Sequence, residues 1–95
     1  MLLDDYVVDI LMRDLVGHDH KPASFLIYLW LNYEAARSRR ERVPVSYQTI
    51  ADSVGISKSA AQTGVRWLLR RQLVEVKRSS STAVPAYRVL RPWRD

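Results

Sequence analysis

The chain contains no cysteine. Disulfides, thiolate metal sites and cysteine nucleophiles are therefore excluded together. Glycine is scarce: Gly17, Gly55 and Gly64 are the only three in 95 residues, too far apart to build a phosphate-cradling loop. Long apolar runs are missing too. The longest spans residues 25–31, far too short to cross a bilayer. A secretory signal is not visible, because Asp4, Asp5 and Asp9 stand where a cationic region should be. A cytoplasmic protein with no membrane partner is expected. No Ser-His-Asp order or nucleophile motif appears, and Asp4 and Asp5 lie near a terminus, where a closed pocket is not expected. We expect no enzyme and no cofactor.

His18-Asp19-His20 has metal-binding residue types. The three are adjacent, however, and neighbours in an extended chain point different ways. With no fourth ligand nearby, a polar loop that includes Lys21 is the better expectation.

What is present is a basic body with an acidic lead. Residues 1–20 hold five Asp and one Arg, a net −4, whereas residues 21–95 hold fourteen Lys or Arg and five acids, a net +9. That imbalance favours a polyanionic partner for the body. Length allows one domain, residues 21–95, preceded by an N-terminal segment, residues 1–20, that packs on the core or on a partner.

Val7, Val8, Leu11 and Leu15 fall at helical spacing and predict a short helix ended by Gly17. Pro22 suits a helix start, and no glycine or proline follows until residue 44. The first half of that helix, residues 25–33, has almost no polar face. Such a helix is covered on more than one side, either by the N-terminal segment or by another subunit. The second possibility motivates an expected homodimer. The second half, residues 37–42, is strongly basic.

Val43-Pro44-Val45 predicts a short extended segment. Ser46 then caps a helix over residues 47–53, Gly55 makes a tight turn, and Ser57 caps a helix running to about Gln72. Ala61, Val65 and Leu68 form its buried stripe. Residues 73–78 and 86–91 alternate and predict a β-hairpin around the loop 79–84, with Pro85 where its missing N–H does least harm. The expected class is mainly α with a small β-hairpin.

The stretch VPVSYQTIADSVGISKSAAQTGVRWLLRRQLVEVKR, followed by PAYRVLR, resembles winged helix-turn-helix domains, especially GntR-like regulators and the modules of replication initiators. The matching residues are Ile50-Ala51, Gly55-Ile56-Ser57, Ala61, Val65 and Leu68, then Leu73-Val74 entering the wing. The resemblance implies a three-helix core plus wing. It also implies double-stranded DNA as partner, the helix from Ser57 in the major groove, and a role in transcription regulation. Replication initiation or partition is an alternative, and a protein-interaction module is an alternative of another class. No small-molecule effector domain is evident.

The residues themselves support this. Ser59, Gln62, Arg66 and Arg70 follow steps of three and four, so they form one stripe. With Ser57, Lys58 and Thr63 they make a face without an acid. Gln62 can pair with adenine, and Lys58 can reach guanine or a phosphate. Ser59 and Thr63 suit base edges or backbone. Arg66 and Arg70 suit phosphate. Ser57, like Ser46 and Tyr47 on the preceding helix, can offer helix N-terminal N–H groups. Lys77, Arg78 and Arg88 extend the candidate surface onto the hairpin. Trp67 is expected to pack on the long helix or the hairpin, with a partner contact as the alternative. Gly64, inside a helix, costs about 0.5–1 kcal/mol relative to alanine, which makes sense if another helix approaches there.

Overall fold

The computed structural model describes residues 3–94. Helices dominate, joined by a three-stranded antiparallel sheet in the order β1-β3-β2. The helices are α1 (Pro22–Ser38), α2 (Tyr47–Val54) and α3 (Lys58–Arg70). The strands are β1 (Val43–Pro44), β2 (Val74–Lys77) and β3 (Ala86–Val89). No helix among the described residues is long and apolar enough to cross a membrane.

The N-terminal segment is helical, but wider than an α-helix. Its π-helical stretches are Val7–Leu11 and Arg13–His18, with N–H groups donating five residues back, as Asp19 does to Asp14 at 2.8 Å. In this wider turn every fourth residue falls nearly in line. Val7, Leu11 and Leu15 make the buried stripe, and Val8, Met12 and Val16 the exposed one beside it. Gly17 was expected to end this helix and does not. The turn continues through it to His18 and closes where the Lys21 N–H donates to the Leu15 carbonyl at 2.7 Å.

This helix packs on α1 within the same chain, so the apolar excess of α1 is largely covered without a second subunit. Phe25, Ile27, Tyr28 and Leu31 are buried, while Leu26 and Tyr33 remain exposed. The polar residues buried in α1 are all engaged. Ser24 donates to the Gly64 carbonyl at 3.0 Å, and Tyr28 donates to the Leu90 carbonyl at 2.7 Å. Asn32 donates to the Tyr28 carbonyl and accepts from Arg91. A buried polar group without such a partner would cost free energy.

α2 and α3 begin as the serines dictate. Ser46 accepts from the Thr49 N–H at 3.1 Å, and Ser57 from the Ala60 N–H at 3.0 Å. Gly55 closes α2 at φ 86°, a conformation that favours glycine. Ile50, Ala51, Ala61, Val65 and Leu68 turn inward. Both helices pack against α1, and the sheet closes the core through Val74, Tyr87 and Val89.

Trp67 packs against the core and also reaches the loop before α1. Its indole N–H donates to the Asp19 carboxylate at 2.9 Å, and Lys21 lies 5.0 Å from its ring centroid. Arg71 also pairs with Asp19, and His18 is hydrogen-bonded to the other carboxylate oxygen. The Asp19 side chain is only 5% exposed, so it is a structural anchor rather than part of an open loop. Burial by itself raises its pKa. The hydrogen bonds from His18 and Trp67 and the charge of Arg71 outweigh it, holding the carboxyl below its ordinary 3.8.

Asp19 is depressed on folding, so its stabilisation is full above the unfolded value and disappears as pH falls through the folded one. Asp19→Asn should therefore cost about 2 kcal/mol at neutral pH, through the loss of hydrogen bonds to a charged acceptor. The gap between the two chains should close in acid. Urea unfolding at about pH 7 and about pH 2 measures it. An equal gap at both values would assign the cost to packing instead.

Candidate functional site

α3 exposes Lys58, Ser59, Thr63, Arg66 and Arg70, and half-buries Gln62. Its opposite side is anchored by Ala61, Val65 and Leu68. The stripe expected from spacing is thus a real surface. Three shallow hollows lie along it. One, of about 280 Å³, brings Ser46 and Tyr47 of α2, Lys58 of α3 and Arg78 of the hairpin to one place. Another, of about 340 Å³, sets His20 and Lys21 beside Ser57, Ser59 and Thr63. The last, of about 260 Å³, joins Lys21 to Thr63, Arg66 and Arg70 around Trp67.

None of the residues lining these hollows is acidic, and five are Lys or Arg: Lys21, Lys58, Arg66, Arg70 and Arg78. Asp19, the carboxylate closest in sequence to Lys21, is buried and engaged by Trp67 and Arg71. Among the described residues none of the five cations is in an ion pair. Asp52 is an acid beside the first hollow, accepting from its lining residue Gln48 at 2.9 Å, and the excess of cations attracts a polyanion. The Ser, Thr and Gln side chains add hydrogen-bonding capacity between the charges.

The cations differ in freedom. Arg70 lies over the Trp67 ring at 5.5 Å, which restrains it. Arg78 donates to the Ala83 carbonyl at 3.3 Å and so ties the hairpin loop. Tyr47 is half-buried beside Tyr87. Burial first, and the neighbouring Tyr47 second, push the Tyr87 hydroxyl pKa up from 10.0.

Two expected members are not brought to this face. Register pairs Glu75 with Arg88 and Lys77 with Ala86, so Lys77 and Arg88 share the outer side of the sheet. Arg88 is also neutralised there by Glu75 at 3.4 Å and Glu41 at 3.5 Å. Conversely, the sequence places Lys21 and His20 in a polar loop, yet they border the α3 face. Their nearness arises where the N-terminus of α1 meets α3. Spacing along the chain carries no signal for it.

Comparison with known proteins finds no match among family models, curated proteins or solved structures.

Proposed function

We propose that this chain is a winged helix-turn-helix domain that binds double-stranded DNA sequence-specifically, acting in the cytoplasm as a transcription regulator. The observation that carries this is the acid-free face of α3, flanked by cations from the loop before α1 and from the hairpin. In this reading α3 enters the major groove by its N-terminal half. Lys58, Ser59 and Gln62 meet base edges, and Gln62 suits adenine. Lys21, Arg66, Arg70 and Arg78 hold phosphates on either side and fix the register. The N-termini of α2 and α3, at Ser46 and Ser57, offer main-chain N–H groups to the backbone.

Selection from random duplex DNA, followed by affinity titration at several salt concentrations, tests the proposal. Gln62→Ala should relax preference at one base position by about 1–3 kcal/mol. Arg66→Ala should weaken all sequences alike and reduce the salt slope by about 1. A chain that does not bind duplex DNA even at low salt would instead favour a protein-interaction role.

A further inference from the structure

The two edges of the sheet are unlike. β1 is two residues long and contains Pro44, whose nitrogen cannot donate, so that edge cannot grow. β2 is the other edge and has no proline.

The hydrogen-bond phase of β2 follows from one contact. The Leu90 N–H donates to the Leu73 carbonyl at 2.9 Å, which makes that opposite pair a hydrogen-bonded one. Bonding alternates along an antiparallel ladder. Glu75 and Lys77 therefore bond to β3, while Val74 and Val76 turn their main-chain N–H and C=O groups outward. Val74 is buried at 2%, whereas Val76 is 40% exposed, so the open part of this edge is centred on Val76. A cleft of about 840 Å³ runs beside all four residues of β2.

We propose that this edge pairs with the same edge of a second copy, antiparallel and centred on Val76, to give one six-stranded sheet. The charge pattern is self-complementary in that register. Glu75 falls opposite Lys77 of the other copy, and Lys77 opposite its Glu75, so a two-fold axis produces two attractive cross-strand pairs. Val76 meets its own equivalent at the axis, where both copies present outward main-chain groups. Edge lysines commonly discourage such pairing. Here Glu75, two residues before Lys77, supplies the complement; it also lies 3.4 Å from Arg88 and 3.6 Å from Arg42 of its own chain and would be shared with them at this exposed edge. Self-pairing of β2 uses a different surface from the exposed part of α1, and it does not depend on the DNA reading.

Light scattering over a wide protein concentration range, without DNA, should show a monomer–dimer equilibrium. Val76→Pro removes an N–H that the ladder to β3 does not use, and should abolish the dimer. Lys77→Glu sets like charges opposite each other and should raise the dimer dissociation constant about tenfold. Glu75→Lys should do the same. Mixing these two charge variants recreates both attractive pairs, so the mixture should associate as the parent does. Circular dichroism checks that each variant is folded, and the charge variants decide the matter if Val76→Pro is not. A parent that stays monomeric at every concentration would overturn the proposal. So would a dimer indifferent to Lys77→Glu, a folded mixture that fails to associate, or a dimer lost in Leu26→Asp instead.

Discussion

Gly64→Val should lower stability by about 3 kcal/mol, and the melting temperature by roughly 15 °C. A Cβ at this position would stand 2.6 Å from Ile27 Cδ1 and 3.6 Å from the Ser24 Cα. Ile27 is fully buried, so its side chain can move only by displacing neighbours. The Ser24 hydroxyl bond to the Gly64 carbonyl crosses the same contact and would be strained. Gly64→Ala should do less, because about 1 kcal/mol of helix propensity offsets the clash with a side-chain tip. Ile27→Val removes the very atom that a new Cβ meets. Alone it should cost about 1 kcal/mol, and combined with Gly64→Ala clearly less than the sum. Urea denaturation of the four chains closes the cycle. Additive costs would show that α1 and α3 are not held apart by this contact.

The α3 face should show the largest functional effect. Lys58→Glu together with Arg66→Glu should weaken duplex binding by about a thousandfold, as two charge-assisted contacts are lost and repulsion replaces them. The dependence of affinity on salt should flatten, its slope falling by about 2 or more. Arg39→Glu with Arg40→Glu is the matched control. It changes net charge equally but acts after the C-terminus of α1, roughly 25 Å from the N-terminal end that borders the face. That pair should reduce affinity by less than about tenfold, because distant exposed charges are screened. Equal losses in the two double variants would make binding a matter of net charge and remove α3 from the site. Fluorescence anisotropy with one labelled duplex suffices for both.

Residues 43–91 were legible because their signals are local. Ser46 and Ser57 cap helices through bonds three residues away, Gly55 takes the turn conformation its neighbours resist, and alternation marks β2 and β3. The exposed stripe of α3 follows from helical geometry alone. The N-terminal segment was less legible. Val7, Leu11 and Leu15 are spaced acceptably for an α-helix, so nothing in the sequence distinguished the wider turn or showed that Gly17 would be passed through.

Long-range placement was hidden for a different reason. Trp67 offered an apolar ring and one N–H donor, and several surfaces could satisfy both. Only the meeting of α3 with residues 19–21 selects Asp19 and Lys21. The same meeting carries Lys21 to the α3 face. The pairing register of β2 with β3 turns Arg88 away from that face and toward Glu75.

The order of elements, their caps and the acid-free side of α3 were thus determined by the sequence itself, since each depends on neighbours within a few positions. The partners of Trp67, the side of the sheet taken by Lys77 and Arg88, and the covering of α1 by its own N-terminal helix were decided only in three dimensions. Those outcomes depend on which distant surfaces exclude water from one another, and the hydrophobic effect that drives them has no preferred direction for a sequence pattern to encode.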